Sequence, residues 1–453
     1  MDTQKKRASF SGRIGFVLAA AGSAVGLGNI WRFPYLAAKY GGGIFLLVYF
    51  ALVVTFGFSL MVSEISLGRK TGRSVISAYS MLSKNWGFLG VISALIPLVI
   101  LSYYCILGGW VAKYVGAFVS GSSVAASKDG YFGAFISASV EPLIWGVLYI
   151  AATFAIVLLG VEKGIERAGK FLMPLLVVLL AAVTVYALTL PGSGAGIKYY
   201  LTPDLSRFSV KTILAALGQM FYSMSLAMGI MVTYGSYMKK TDDIAVAVKQ
   251  IEWFDTGIAF LAGLLIVPAV FTFSGGDSTL AAGPSLMFVT MPKVFASMGV
   301  AGTVIGAMFF ILVLFAALTS SISLMETVVS VIRDKFHMSR PKACFITLGL
   351  ILALGTPCAL GFGLWSGLSV GGMSILDLFD FVSNSVAMPI VALLMCVFIG
   401  YVIKPESVIS EVKISGKFSR ERMYRIFIKY VAPLFVAAIL VSSVLDGLGI
   451  LDL

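Results

Sequence analysis

Two short stretches place polar groups inside apolar segments of this chain. AAAGSAVGLGN carries Gly22, Gly26 and Gly28 within seven residues, and QMFYSMSLAMG carries Ser223, Ser225 and Gly229. Glycine and serine weaken a helix in mid-membrane. Backbone N–H and C=O groups freed there are tolerated only where they line a cavity within the protein. The alternative is that such glycines only let helices pack closely. Residues for covalent chemistry are scarce. His337 is the single histidine and lies in the basic stretch RDKFHMSRPK. Cys105, Cys344, Cys358 and Cys396 sit in or beside apolar runs and form no C-x-x-C pair. Multi-histidine metal sites and proton relays are therefore excluded, and neither a zinc site nor a disulfide framework is supported. A membrane-embedded enzyme would need a nucleophile–base pair or metal cluster at depth, and neither is offered.

The elements around these stretches follow from composition. The chain has 453 residues, of which 59% are hydrophobic and 12% charged, with a mean hydropathy of +0.99. Soluble domains are about 45–50% apolar and about 25% charged, so a soluble globular protein is excluded, as is disorder. A span needs about 20 apolar residues. Eleven apolar segments are predicted, at 14–38, 43–67, 88–119, 143–160, 168–190, 211–238, 252–274, 298–332, 341–362, 374–402 and 426–449. The basic N-terminus precedes a full-length span without a small-residue cleavage site, so no cleavable signal peptide is expected. With the N-terminus inside, twenty-five of the 33 Lys and Arg fall in inside loops. That bias sets orientation and explains the net charge of +12 through inner-leaflet lipid, without nucleic acid. An odd helix number puts the C-terminus outside. The expected fold is all-α and polytopic. The two interrupted segments are the first and sixth, corresponding positions of two five-helix halves. This predicts an inverted-repeat transporter with its site between broken helices. The chain is expected to form one transmembrane domain, with halves at about 10–190 and 205–402 and an added helix at 426–449.

Three stretches are specific. Residues 21–43, AGSAVGLGNIWRFPYLAAKYGGG, resemble the first-helix signature of the neurotransmitter:sodium symporter family. Residues 216–238, ALGQMFYSMSLAMGIMVTYGSYM, resemble its sixth helix, and 315–334, FAALTSSISLMETVVSVIRD, its eighth. The likeness runs in order from about Phe10 to residue 400. A twelfth helix is missing, as in a shorter bacterial branch, and within that branch the likeness is to carriers of several hydrophobic amino acids. The resemblance implies a leucine-transporter-like fold and a sodium-coupled amino acid symporter in the cell inner (plasma) membrane. It implies no organic cofactor and no obligate protein partner; the partners expected are a small-molecule amino acid and membrane lipid.

By this resemblance two sodium ions are held by hard oxygens. One lies between Gly22, Val25, Ala316, Thr319 and Ser320. The other lies near Ala24, Asn29, Ser223 and an acid or amide of the seventh helix, here Asp255. Taken alone, Thr319 and Ser320 read as hydroxyls bonded to the preceding helical turn. Asp255 alone reads as an acid near the inner interface. An amino-acid carboxylate would meet N–H groups of Leu27 and Gly28, at the positive end of the outer half-helix, together with the Tyr104 hydroxyl and one sodium. Its ammonium would meet carbonyls of Ala24, Tyr222 and Ser223 and the Ser225 hydroxyl. The side-chain pocket is predicted from Ile100, Tyr222, Met228, Ser321 and Leu324. It carries no charge, so hydrophobic and aromatic amino acids are expected. Methionine adapts to varied shapes; as core filler Met228 would carry no such role.

Charges inside spans cost about 2.5–3.5 kcal/mol each and need a reason. Arg32 and Asp380 resemble an outer gate pair, with Asp377 a bystander. Arg7 and Asp334 resemble an inner pair, with Tyr237 and Glu326 nearby. Glu64 reads as part of a polar network near Asn29. Gly164 and Pro174 predict either local unwinding or a kink at the inner end of the fifth helix. Many animal members of the resembled family use chloride beside the substrate-contacting sodium; a carboxylate at Asp255 would replace that charge, so chloride independence is expected. A proton-coupled carrier of the same fold remains the rival, and would favour a buried Lys or carboxylate in place of Thr319 and Ser320. A channel is disfavoured because no open pore is evident.

Overall fold

The computed structural model of the chain describes residues 8–273 and 283–447. Its regular structure is helical, with two isolated β-bridges, Gly42 to Pro203 and Val370 to Met373, among the described residues. Among the described residues nine helices are long and apolar enough to cross a membrane, and a tenth arises if Arg13–Ala24 and Gly28–Lys39, bent by 56°, count as one broken span. The predicted sixth segment appears as two short helices, Val210–Ser223 and Ile230–Gly235. The predicted seventh segment begins earlier than its hydropathy suggests, at Ile244, and runs to Phe273. Lys249 therefore lies in this helix and not in a loop. Polar Lys249 and Glu252 depress hydropathy, yet Glu252 is buried beside Arg420. Helices between segments were not anticipated, among them Val75–Leu82, Ser193–Leu201, Leu286–Ser297 and Glu406–Lys413.

The burial pattern inverts that of a soluble protein. Val178, Val185, Ile144 and Leu148 are exposed around the rim, whereas Asn29, Glu64, Gln219, Asp255 and Ser323 are buried. Hydrocarbon accepts the apolar rim, and polar groups must find partners inside. The third segment, Lys84–Val119, and the eighth, Gly299–Phe336, pack against each other through the centre. Beside them, the second half of the sixth segment touches the second, Gly43–Thr71, backbone to backbone. A Cβ on Gly68 would lie 1.9 Å from the Val232 carbonyl oxygen, and one on Gly235 2.4 Å from that of Ile65. Small residues permit this approach, which fixes the second half of the broken sixth segment.

Candidate functional site

The breaks occur where the sequence places glycine and serine. The first helix ends at Ala24, and Val25 turns to extended backbone (φ −76°, ψ 105°). In the sixth segment Ser225 (φ 53°) and Ala227 (φ 61°) adopt left-handed backbone, which costs a non-glycine residue on the order of 1–2 kcal/mol. Both are tied. The Ala227 N–H donates to Glu64 Oε1 (2.6 Å), and the Ser225 hydroxyl donates to the Ser23 carbonyl (2.9 Å). Glu64 thus serves the break of the sixth segment and not a network around Asn29. A buried carboxylate needs an N–H donor, and the interrupted helix supplies one.

Between the breaks lies a narrow cavity with about 370 Å³ of space between its atoms. The first segment contributes Ala24, Leu27, Gly28 and Asn29, and the sixth contributes Tyr222, Ser223, Ser225 and Met228. Ile100 and Tyr104 of the third segment and Ser320 and Leu324 of the eighth complete the predicted set. Ser23, Gly26 and Ile230 also line it and were not anticipated as site residues. Ser321, predicted for the side-chain pocket, points elsewhere. Its hydroxyl lies 2.8 Å from the Thr153 hydroxyl and 3.1 Å from that of Tyr149. One helical residue is a rotation of about 100°, so Ser321 faces the fourth segment when Ser320 faces the first. The Leu27 N–H donates to the Tyr104 hydroxyl (3.3 Å). Gly26 permits that closeness, since a Cβ there would sit 2.7 Å from Ser320 Oγ and 3.0 Å from the Tyr104 hydroxyl. Tyr222 lies over Gly28 in the same way, with a built Cβ 2.5 Å from its ring.

Beneath this cavity is a buried carboxylate centre. Asp255 Oδ1 accepts from Asn29 Nδ2 and from Ser223 Oγ, each at 2.7 Å, and Oδ2 accepts from the Tyr49 hydroxyl (3.2 Å). Asn29 and Asp255 are both fully buried. Asn29 Oδ1 accepts from the Gly26 N–H (3.0 Å), and Gln219 donates to the Gly28 carbonyl (3.0 Å). Asp255 stands eleven residues into its helix, beside Asn29 and Ser223, and not at the helix end. Tyr49 and Gln219 were missed. Gln219 lies within the quoted sixth-helix stretch, and an uncharged amide at that depth was the signal available. Tyr49 gave none, because tyrosines abound in the chain.

A second group of oxygens joins the first and eighth segments. Ser320 Oγ donates to the Val25 (3.1 Å) and Ser23 (3.2 Å) carbonyls. Thr319 Oγ1 donates back to the Ala316 (3.0 Å) and Phe315 (3.1 Å) carbonyls. A Cβ on Gly22 would lie 3.1 Å from that of Thr319, so the five predicted positions converge. The donor set of hydroxyls and carbonyls is neutral and hard, which suits a monovalent hard cation and no soft metal. Among the described residues no cluster of three His, Cys, Asp or Glu could hold a metal ion.

The outer charged pair is not formed in this structure. Arg32 and Asp380 line one cavity above Tyr222, yet no ion pair within 4.0 Å joins them. Arg32 lies over the Tyr222 ring at 5.4 Å. Asp380 accepts instead from Tyr103 (2.9 Å) and Asn384 (2.6 Å), uncharged donors that satisfy it without the arginine. Arg7 lies outside the described residues. Asp334 accepts from the Ser74 N–H at 2.7 Å. Glu326 accepts from Tyr237 (2.7 Å) and is ion-paired with Arg340, which also bonds the Val157 carbonyl. Its charge is thus neutralised by a residue not foreseen as its partner. At the start of the fifth segment Gly164 sits in a widened turn, Val161–Glu166, and Pro174 lies inside the following helix, Arg167–Leu188. Glu166 in that turn accepts from the Ser11 N–H (2.8 Å).

Comparison with known proteins gives consistent findings. The profile of the sodium:neurotransmitter symporter family matches residues 7–123 and 139–448. An uncharacterized sodium-dependent transporter of Haemophilus influenzae is 34% identical over 97% of this chain and 98% of its own length. The sodium-dependent transporter YhdH of Bacillus subtilis is 34% identical over 98% and 99%. A sodium- and chloride-dependent taurine transporter of Bos taurus is 27% identical, covering 84% of this chain and 68% of that protein. Among solved structures, the crystal structure of MhsT in complex with L-phenylalanine superposes with a TM-score of 0.87 at 35% identity, covering 96% of this chain and 100% of that one.

Proposed function

The chain belongs to the sodium:neurotransmitter symporter family, and from that premise we propose that it is a sodium-coupled symporter of hydrophobic and aromatic L-amino acids. It works by alternating access and needs no chloride. The observation that carries the reading is the cavity between two broken segments, lined by the Leu27–Gly28 backbone, by serine and tyrosine hydroxyls and by the apolar Ile100, Met228 and Leu324, with no charged side chain. A zwitterion fits such a lining. The Leu27 and Gly28 N–H groups and the Tyr104 hydroxyl receive its carboxylate. The carbonyls of Ala24, Tyr222 and Ser223 and the Ser225 hydroxyl receive its ammonium. Ile100, Met228, Leu324 and the Tyr222 ring take the side chain, with Met228 yielding to differing bulk. The phenylalanine bound to MhsT supports the substrate class.

Sodium is cargo here. One ion is assigned to Ala24, Asn29, Ser223 and Asp255, and a second to Gly22, Val25, Ala316, Thr319 and Ser320. On binding, the Thr319 and Ser320 hydroxyls turn their protons away from Ala316, Ser23 and Val25 so that their lone pairs face the ion. Asp255 supplies a fixed negative charge where an uncompensated cation would be costly. Binding of both cargoes favours closure above Tyr222, through approach of Arg32 to Asp380. Release of sodium permits opening at the inner end, where Gly164 and Pro174 weaken the fifth helix. The site thus sits in one transmembrane domain of two inverted halves, about 10–190 and 205–402, with a last helix at 426–449. The chain crosses the cell inner membrane eleven times with its N-terminus inside. Coupling to protons is the second reading; the neutral Thr319 and Ser320 favour sodium over it. The deciding experiment is uptake of labelled phenylalanine and leucine into proteoliposomes with and without a sodium gradient. Accumulation that requires sodium is expected, and equal uptake in potassium ends the proposal.

A further inference from the structure

Asn384, in the tenth segment, carries a buried oxygen without a partner. Its amide nitrogen Nδ2 donates to Asp380 Oδ1 at 2.6 Å and to the Tyr103 hydroxyl at 2.9 Å. A carboxylate only accepts, so it holds the amide nitrogen on its own side and turns Oδ1 of the amide the other way. That oxygen is shielded from solvent and receives no hydrogen bond among the described residues. Buried acceptors are seldom left so, and each exception calls for a reason. Asn384 also stands in a widened turn, Phe381–Ala387, which follows Asp380 directly. Such turns inside helices occur frequently at functional places.

A matching donor lies across the same space. Arg32, Tyr222, Asp380 and Asn384 all line a cavity of about 400 Å³ next to the central one, with Tyr222 in the wall between them. The Arg32 guanidinium rests over the Tyr222 ring at 5.4 Å and makes no hydrogen bond among the described residues. The donors that reach Asp380, from Tyr103 and Asn384, both fall on Oδ1, which leaves Oδ2 for the arginine. A guanidinium presents its N–H groups as a rigid fork and can meet two acceptors at once.

We propose that Arg32 closes this cavity onto two acceptors, Asp380 Oδ2 and Asn384 Oδ1, and that Asn384 is thereby a positioning residue of the closed state. Its nitrogen aims the carboxylate and its oxygen receives the arginine. With the cavity open, that oxygen is buried without a donor, which is unfavourable. Closure supplies the donor, so Asn384 biases the equilibrium towards the closed state. The meeting of residues 32 and 384 stands by itself; what closure does to the cargo rests on the function proposed above.

The test reads how fast labelled phenylalanine leaves the full-length protein in sodium. Asn384→Leu removes the oxygen and is expected to speed dissociation about fivefold. Where Arg32→Met has already removed the donor, Asn384→Leu adds nothing. Aiming the carboxylate and receiving the arginine separate once Asp380 is gone. Asp380→Ala speeds dissociation at least about fivefold, and adding Asn384→Asp to it brings the rate back to within about twofold of the parent. The carboxylate then stands where Oδ1 stood. Support of the helix alone, or aiming of Asp380 alone, gives no such recovery. Absence of the recovery overturns the contact. So does a full effect of Asn384→Leu in Arg32→Met, the result expected if water and not Arg32 meets the oxygen. If Asn384→Leu fails to fold by size-exclusion chromatography, the relocated carboxylate decides alone. A second arm needs no amino acid. In the Asp380→Ala background, Arg32→His with Asn384→His is expected to bind zinc at least about tenfold more tightly than either single histidine variant, by isothermal titration calorimetry. Equal affinities overturn the meeting of the two residues. Failure of phenylalanine to bind the parent counts against the transport function, and the zinc titration then decides the contact.

Discussion

Ser320 and Ser321 are neighbours in the chain and face opposite ways. Ser320 Oγ meets the carbonyls of the broken first segment, whereas Ser321 closes a hydroxyl cluster with Tyr149 and Thr153. Ser320→Ala is therefore expected to weaken sodium-dependent phenylalanine binding at least tenfold and Ser321→Ala by less than about twofold; radioligand binding across a sodium titration checks both. Asn29→Ala and Thr319→Ala each delete an oxygen assigned to a different ion. Each is expected to raise the sodium needed for half-saturation while leaving the protein folded by size-exclusion chromatography. An unchanged titration in either variant removes that residue from the site. Asp255 allows a separate test of charge. With gluconate replacing chloride the parent keeps full uptake, whereas Asp255→Ser loses uptake and recovers part of it when chloride returns. A chloride requirement in the parent contradicts the assignment, since the carboxylate is already held in place by Asn29, Ser223 and Tyr49.

At the scale of elements, close contacts between backbones position the two breaks. Gly68 in the second segment touches the Val232 carbonyl of the sixth, with room for no Cβ. Gly68→Ala must push these helices apart or distort one of them, at a cost of about 1–3 kcal/mol. Its melting temperature in detergent is expected to fall by several degrees, with loss of uptake; a parent-like melting curve and uptake would show that the contact yields easily. Glu326 and Arg340 form a buried ion pair between the eighth and ninth segments, with side chains 0% and 14% exposed. Removing one partner of such a pair costs about 3–5 kcal/mol. Arg340→Met is thus expected to unfold at markedly lower temperature than the parent, and Arg340→Met with Glu326→Gln to recover part of the loss.

Across the whole molecule, the function proposed above requires two closures that alternate, and Arg32 and Asp380 are the pair proposed for the outer one. Arg32 rests over Tyr222 and shares a cavity with Asp380 without touching it. A pair that forms in one state biases the equilibrium between states without contributing to the fold of both. Arg32→Ala is accordingly expected to slow uptake several-fold and to leave thermal stability within about 1 kcal/mol of the parent. Unchanged uptake would make Arg32 an anchor at the membrane interface.

Hydrophobicity, loop charge and the two glycine–serine interruptions determined, from sequence alone, that this is a helical membrane protein with helices broken in corresponding places. These are properties of short windows, because solvent and lipid sort each span by its own composition. The three long motifs determined the family. Tertiary structure decided what depends on rotation and distance between spans. It turned Ser321 away from the cavity, brought Asp255 to Asn29, gave Glu64 to the Ala227 N–H and paired Glu326 with Arg340. It also revealed Tyr49 beside Asp255. A side chain's direction on a helix changes by about 100° per residue, so a partner from a distant span is fixed only when the spans are packed.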